Sequence, residues 1–305
     1  MILFRVVFVL LGICGCVSTW NDDQQVLHRV KRIIGGEGFR NGKWPWLVSL
    51  QGKVPKTTFL GITFSYTTHD CGAAVLSNRW IITAAHCFGK RGTKNQNPRY
   101  WEARLGAVTR RPSLANYFMH VIGKILKKKE WQQWNIDAEK IIIHPRYDET
   151  DTWSNDLALV KLKKKVPAGR ATVEKIQTIQ LPQQGEGFPG DGTQCVMAGW
   201  GCSSGGGKVS SQAHEVILPI VSNRTCRAIY VVSTDTRICA GHNLKGKGIC
   251  PGDSGGPLMC PRGNNQWTLS GVASFTSKSN PQDYPGAFTR VTAYVNWINH
   301  IMRYN

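Results

Sequence analysis

The chain has 305 residues, with 38 Lys and Arg against 19 Asp and Glu, which gives a formal net charge of +19. This length holds one large domain or two small ones. No apolar run beyond the N-terminal segment is long enough to cross a bilayer, so the sequence predicts no membrane span. The positive charge favours contact with sulfated glycans, nucleic acid or anionic membranes, although solubility alone explains it equally well.

The first 18 residues predict a secretory signal peptide. Arg5 precedes an apolar run over residues 6–17, and small residues follow it. We therefore expect a secreted protein, extracellular or held in a secretory vesicle. Cys14 and Cys16 would leave with the signal, and the other eight of the ten cysteines could form disulfides in an oxidising compartment.

Residues 19–32 predict a short activation propeptide. This segment is polar and offers little from which to build a core. It ends in the basic sequence RVKR at residues 29–32, and IIGG follows at residues 33–36. A dense basic cluster of this kind is typical of a processing site.

Short strands dominate the first half of the remaining chain. Alternating or apolar runs predict them over residues 44–50, 71–76, 80–83, 141–143 and 157–162, and many short strands favour a barrel or sandwich. His86 follows the third strand in the sequence TAAHC, and Asp156 precedes the fifth in NDLALV. A single His is more often structural than catalytic, and an Asp here could simply cap a strand.

Two segments, 52–70 and 88–135, are candidates for insertions. The second is strongly basic and includes three consecutive lysines at 127–129, with Trp131 and Trp134 nearby. A solvated insertion is one interpretation, and a site for a polyanion or another partner is the alternative.

The second half begins with an exposed connector over residues 161–173. Strands are predicted over 179–182, 195–201 and 216–221, with a Gly-rich loop at 203–207. Ser222 could cap a short helix extending to Tyr230, and Asn223 begins the only N-glycosylation sequon. Apolar residues on one face of 291–302 predict an amphipathic helix that packs on the rest of the domain.

The most informative stretch is GICPGDSGGP at residues 248–257, which places Ser254 between glycines. A Gly-rich surface turn is the simplest interpretation. The nucleophile elbow of α/β-hydrolases requires an acid and then a histidine after the serine, and only Asp283 and His300 follow. Upstream, His86 and Asp156 precede Ser254 in the order of the chymotrypsin-type triad.

With these three motifs and RIIGG at residues 32–36, the chain resembles the chymotrypsin/trypsin family of serine proteases. The resemblance implies an all-β fold of two six-stranded antiparallel β-barrels with a C-terminal α-helix. The protease domain would span residues 33–305. Barrel one would occupy about 33–162, barrel two about 174–290, and the helix about 291–303.

The resemblance also implies roles for individual residues. His86, Asp156 and Ser254 would form the catalytic triad, and Ser274 would support Asp156. The backbone N–H groups of Gly252 and Ser254 would form the oxyanion hole. The predicted mechanism requires no cofactor and no metal.

Activation would follow from cleavage after Arg32 by a trypsin-like or furin-like protease. The new α-amino group of Ile33 would pair with Asp253. Before cleavage Asp253 would have no such partner, so we expect the uncut chain to be inactive.

Four disulfides are expected. The resemblance implies the pairs Cys71–Cys87, Cys195–Cys260 and Cys226–Cys239. The usual family partner of Cys250 is missing from residues 274–285, and Cys202 is the cysteine that remains. We therefore predict a Cys202–Cys250 disulfide peculiar to this chain.

By resemblance, Gly248 would form the base of the specificity pocket, with Ile249 beside it. Ser274, Phe275 and Thr276 would form one wall and Gly286 the other, with Thr276 narrowing the pocket and Gly286 leaving it open. An uncharged, partly filled pocket predicts cleavage after small or medium aliphatic residues, as in elastases, and argues against cleavage after Lys or Arg. A chymotrypsin-like preference for Phe or Leu is the alternative.

The sequence thus predicts a secreted, monomeric serine endopeptidase that acts on proteins or peptides and has a sulfated glycan or other polyanion as a candidate partner. The alternative is that the protein is not an enzyme: it would have the same fold but bind polyanions through its basic surface without catalysis.

Overall fold

The structure is a computed structural model that describes residues 35–59, 62–90, 92–110, 134–166, 176–202, 209–241, 246–264 and 266–305. The signal peptide, the propeptide with Arg32 and the new N-terminus at Ile33, all of them predictions, lie outside these residues. So do the lysines at 127–129 and the loop at 203–207.

Six antiparallel strands close into the first barrel, in the order β2-β3-β4-β7-β6-β5. Side chains that share one face of these strands, among them Leu50, Ile81 and Val160, are fully buried in the hydrophobic core. The strands are β2 (Leu47–Phe59), β3 (Ile62–Val75), β4 (Trp80–Thr83), β5 (Trp101–Leu105), β6 (Trp134–Ile143) and β7 (Ala158–Leu162).

The second sheet has the order β1-β9-β8-β11-β12-β13-β10, with the short β1 at its edge. A bridge between Ile220 and Ala240 joins the end of β9 to β10, so the six longer strands also enclose a core. The strands are β1 (Glu37–Gly38), β8 (Gln194–Gly199), β9 (His214–Pro219), β10 (Arg237–Ala240), β11 (Pro257–Pro261), β12 (Trp267–Phe275) and β13 (Gly286–Arg290).

Two α-helices accompany the barrels in the described part of the chain. Helix α1 (Asn223–Tyr230) starts at Ser222, whose hydroxyl accepts a hydrogen bond from the Thr225 backbone N–H at 3.1 Å, as its N-cap position predicts. Helix α2 (Val295–Tyr304) follows a short 3₁₀ turn, Val291–Ala293, and buries Val295 and Ile298. The predicted all-β class with two barrels and a C-terminal helix is confirmed.

Local details differ from the sequence predictions. Residues 179–182 form no strand, only a single bridge from Gln180 to Thr268, because Pro182 has no N–H with which to continue a ladder. The segment 52–70 continues β2 and β3 as a long hairpin, since its Thr-rich, β-branched residues suit paired strands. Within 88–135, residues Trp101–Leu105 are barrel strand β5, not insertion.

Candidate active site

His86 and Asp156 form the best-defined contact of the site. His86 lies in a 3₁₀ turn, Ala85–Phe88, directly after β4, and Asp156 lies just before β7. The imidazole Nδ1 is 2.7 Å from Asp156 Oδ2, and the His86 backbone N–H donates to Oδ1 at 2.9 Å. Because a carboxylate only accepts, Nδ1 carries the proton, and Nε2 of the neutral ring can accept one.

Asp156 is completely buried and is held from behind by two hydroxyl groups. Ser274 donates to Oδ2 at 2.5 Å, and Thr289 donates to the Asp156 carbonyl at 2.8 Å. Burial alone would raise the pKa of Asp156, but His86 and the hydrogen bonds from His86 and Ser274 hold it below its ordinary value. The carboxylate therefore stays ionised and fixes the ring orientation.

Ser254 is held between the two barrels by its neighbouring backbone. Its carbonyl accepts from the Gly72 N–H of β3 at 2.7 Å, and the Gly255 N–H donates to Ala273 of β12 at 2.8 Å. A Cβ at Gly255 would lie 2.1 Å from Thr83 Oγ1, so only glycine permits this approach. The structure thereby brings the loop of Ser254 against the strand that leads to His86.

Asp253 is the second fully buried carboxylate of the site. Its oxygens accept from the backbone N–H groups of Gly201 at 2.9 Å and Cys250 at 3.0 Å. A Cβ on Gly201 would lie 2.0 Å from Asp253 Oδ2, so only glycine fits at position 201. Burial raises the pKa of Asp253 to about 7, although both hydrogen bonds act in the opposite direction.

The structure contains four disulfides within its described residues, and they join the predicted cysteines. The Cys202–Cys250 bond links the residue after Gly201 to the second donor to Asp253. It therefore ties together the two segments that enclose this carboxylate. The other three are Cys71–Cys87, Cys195–Cys260 and Cys226–Cys239.

The residues predicted for the specificity pocket lie together, with one change in their roles. A Cβ on Gly286 would lie 2.6 Å from Ile249 Cδ1, so the space that Gly286 was expected to leave open is filled by Ile249. A Cβ on Gly248 would lie 2.3 Å from the Pro281 carbonyl oxygen. Ile249 therefore shortens this region, and Gly248 admits no side chain without a backbone shift.

Two further residues were not expected from the sequence. Trp153 stacks on the His86 ring at a centroid distance of 4.9 Å and an interplanar angle of 18°. Arg237, only 2% exposed, donates to the hydroxyl groups of Ser274 and Thr289. No motif marks Trp153, but an Arg among apolar residues in RICA (237–240) was a usable signal, since buried charges need partners.

This arrangement suits acyl transfer. It places a serine hydroxyl, an oriented imidazole and a buried carboxylate on adjoining loops, the groups needed to activate a nucleophile. Among the described residues, no cluster of three or more His, Cys, Asp or Glu side chains is placed to hold a metal.

The double-barrel fold and the order of these residues define a chymotrypsin-like serine protease domain. The family model described as Trypsin matches residues 33–298. The chain therefore belongs to the trypsin family of serine proteases.

Two curated relatives are similar over most of the chain. "Transmembrane protease serine 9" of Rattus norvegicus is 33% identical over 273 residues, which are 89% of this chain and 22% of the relative. "Transmembrane protease serine 11B" of Homo sapiens is 31% identical over 270 residues, 88% of this chain and 55% of the relative. The chain thus spans little more than half of one relative and under a quarter of the other. No α-helix among the described residues has the length and apolar character of a membrane span.

Proposed function

We propose that the protein is a serine endopeptidase that hydrolyses peptide bonds through His86, Asp156 and Ser254. The observation that carries the proposal is the His86–Asp156 pair, 2.7 Å apart, with Asp156 buried and hydrogen-bonded by Ser274. A buried carboxylate is costly unless it is paired and hydrogen-bonded, and the partner of this one is the imidazole whose tautomer a general base requires.

In the proposed reaction, His86 Nε2 takes the proton of Ser254 as its oxygen attacks the peptide carbonyl. The imidazolium is stabilised by Asp156 and then gives the proton to the leaving amine. Water repeats the sequence on the acyl-enzyme and releases the acid. The backbone N–H groups of Gly252 and Ser254 would stabilise the oxyanion, and losing one such donor typically costs about 10²–10³ in turnover.

Activation is proposed to follow cleavage between Arg32 and Ile33 by a trypsin-like or furin-like protease. Asp253 supports this proposal, because it is buried and its pKa is raised. Its carboxylate also lies so close to Gly199 and Gly201 that a side chain at either position would clash with it. An α-ammonium group arriving at this carboxylate would favour its ionised form. We also propose that the protein is secreted, since its N-terminal 18 residues resemble a signal peptide.

For the P1 residue we propose a preference for small or medium aliphatic side chains, with Lys and Arg excluded. The support is the position of Ile249, which lies against Gly286 and is 3% exposed. Gly248 offers no carboxylate to a basic P1 side chain. A chymotrypsin-like preference for Phe or Leu is the competing outcome.

The first test is to cleave the purified chain after Arg32 and assay it on peptides with P1 Ala, Val, Leu, Phe and Arg. We expect cleavage after Ala and Val that a serine-directed covalent inhibitor abolishes, and none by Ser254→Ala. Cleavage after Phe would contradict the pocket assignment alone. No activity in cleaved wild type with a free Ile33 amine would contradict the catalytic proposal.

A pocket variant sharpens this test. Ile249→Ala should raise kcat/KM for P1 Phe relative to P1 Val by about 10–100-fold, because the removed methylenes open the space against Gly286. Ile238→Ala is the matched control, since Ile238 is also buried in barrel two but lies on β10. The control should lose stability with no change in the Phe-to-Val ratio.

Binding to a sulfated glycan or another polyanion is proposed as a separate property of the basic surface. It is supported by the net charge of +19 and by three consecutive exposed lysines, Lys163–Lys165. Ser254→Ala should elute from heparin at the same salt concentration as wild type. If the basic surface binds polyanions, Lys164→Glu with Lys165→Glu should elute earlier. If wild type elutes from heparin below physiological salt concentration, the polyanion proposal is wrong and the positive charge serves only solubility.

A further inference from the structure

Arg237 is a buried cation directly behind the candidate triad. Its side chain reaches four acceptors, and each of them belongs to a residue that holds Asp156 or to the loop preceding it. One guanidinium nitrogen donates to Ser274 Oγ at 3.1 Å and to Thr289 Oγ1 at 2.9 Å. The other donates to the carbonyls of Thr152, at 3.0 Å, and of Trp153.

The first two bonds connect Arg237 to Asp156 through hydroxyl relays. Ser274 accepts from Arg237 and donates to the Asp156 carboxylate, while Thr289 accepts from Arg237 and donates to the Asp156 carbonyl. Both hydroxyl groups are therefore locked as donors toward Asp156, because their acceptor side is occupied by the guanidinium. The positive charge also offsets the buried carboxylate across the relay.

The other two bonds hold a strained turn. Thr152, Trp153 and Asn155 have φ values of 43°, 54° and 52°, a left-handed conformation that residues with side chains rarely adopt. Such a turn persists only where its surroundings impose it, and it is typical of functional sites. Arg237 donates to the carbonyls of two of these residues, which makes it a principal support of the turn.

This turn places the Trp153 ring beside the reacting groups. The ring stacks on His86 at 4.9 Å and meets Phe275 edge-on at 5.9 Å. Arg237 itself lies over the Phe275 ring, 5.5 Å from its centroid. One buried side chain thus contacts the supports of Asp156, the backbone of Trp153 and the ring against which Trp153 rests.

We propose that Arg237 is a positioning residue that sets two properties at once: the orientation of the His86–Asp156 pair, and the size of the substrate side chain accepted beside Trp153. This inference rests on the proposed function. A planar guanidinium can serve four acceptors in fixed directions, which a lysine ammonium cannot do. The consequence is that turnover and selectivity near His86 depend on a residue that touches neither substrate nor Ser254.

The test compares cleaved wild type with Arg237→Met, which keeps much of the side-chain length and removes the charge and donors. Substrates carry Gly, Ala or Phe immediately before P1, where the proposal expects the Trp153 ring to disfavour the bulky Phe in wild type. Active sites are counted with a covalent serine-directed inhibitor, so that kcat refers to folded enzyme. We expect kcat to fall about 10–100-fold and the discrimination against Phe before P1 to weaken at least 5-fold, roughly the range of one displaced support residue.

Arg290→Met is the matched control. Arg290 is also on barrel two and donates to the carbonyls of Thr234 and Arg237 and to Asn223 Oδ1, but within the described part of the chain it makes no hydrogen bond to Asp156 or Trp153. The Arg290→Met variant should be less stable than wild type, but its kcat per active site and its selectivity should be unchanged. Equal kinetic losses in both variants would reduce Arg237 to a structural residue and overturn the proposal.

Two variants keep the proposal testable if Arg237→Met does not fold. Arg237→Lys should recover part of kcat but not the discrimination against Phe, and full recovery of both would overturn the proposal. Trp153→Ala should lose the same discrimination, and adding Arg237→Lys should reduce it no further; an additive loss would contradict the link. No titratable active sites in wild type would instead refute the proposed function.

Discussion

Two aspartates of the site, Asp156 and Asp253, are both fully buried, but their environments shift their pKa values in opposite directions. Asp156 has an imidazole and a serine hydroxyl as partners, and its pKa is lowered. Asp253 has two backbone N–H groups, and burial raises its pKa to about 7. The difference shows that burial by itself opposes ionisation, and that the partner decides whether a buried carboxylate is ready for use.

The comparison also separates two stages of function. The partners of Asp156 come from the 3₁₀ turn after β4 and from β12 and β13, so the folded chain supplies them without further processing. The partner proposed for Asp253 is created by cleavage at Arg32. Catalytic geometry would therefore be set by folding, and the readiness of the Ser254 loop by proteolysis.

The largest effect is expected from Asp156→Asn. The amide cannot hold the Nδ1–H tautomer of His86, so kcat should fall by about 10⁴-fold, the loss measured for this substitution in the chymotrypsin-type triad itself. Single-turnover assays on titrated, cleaved protein would measure it. A loss below about 10-fold would show that Asp156 does not orient the base.

Asp253→Asn should come next. In the cleaved protein it leaves the Ile33 ammonium without its proposed partner, which costs about 3–5 kcal/mol for a broken buried pair. Activity should fall by roughly 10²–10⁴-fold, because the loop around Gly252 would become disordered. A weakened reaction with the covalent inhibitor would report this loop directly. Unchanged activity would refute the activation mechanism.

In the uncleaved protein, the raised pKa of Asp253 should make the free energy of unfolding depend on pH. Its folded pKa of about 7 lies above the value for an unfolded Asp, so the folded state keeps a proton that the unfolded state releases. Between about pH 4 and pH 7 stability should therefore fall as pH rises, by up to about 3–4 kcal/mol from this group. Urea unfolding of Asp253→Asn should lack this decline.

Asp156 should contribute with the opposite sign. Because its folded pKa is depressed, its stabilising effect is present above the unfolded pKa and is lost as pH falls through the folded one. In the Asp253→Asn background, acid should thus destabilise the protein only below about pH 4. A decline between pH 5 and 7 in that variant would assign the effect to another group.

The smallest effect is expected at an exposed carboxylate. Asp137 pairs with Lys163 at 3.1 Å, but their side chains are 58% and 49% exposed. Asp137→Asn should change the free energy of unfolding by no more than about 0.5 kcal/mol, since water screens the pair. A larger change would mean that the exposed fraction of a carboxylate does not predict its contribution to the free energy of unfolding.

Much of the site was accessible from the sequence because its motifs are local. TAAHC, NDLALV and GDSGG each place one reactive group in a restricted backbone context, and their order predicted the triad. The cysteines were equally informative, since Cys202 and Cys250 were left over once the other pairs were assigned. Alternating or apolar runs were enough to predict at least part of five of the six strands of barrel one, but not β5.

Other features depended on contacts between distant segments. The apolar pattern of residues 152–155 does not reveal that Arg237, more than 80 residues away, donates to the carbonyls of this turn. Ile249 and Gly286 were both assigned to the pocket, yet only the packing of β13 against the Ser254 loop showed that one fills the space beside the other.

The sequence by itself thus determined the family, the class of chemistry and the order of the reactive residues, because these are written in short motifs with fixed local geometry. The tertiary structure decided which buried carboxylate is ionised, how Trp153 covers His86 and how far the pocket extends. These properties depend on which atoms from distant strands come within a few ångströms, and burial and charge act only at that range.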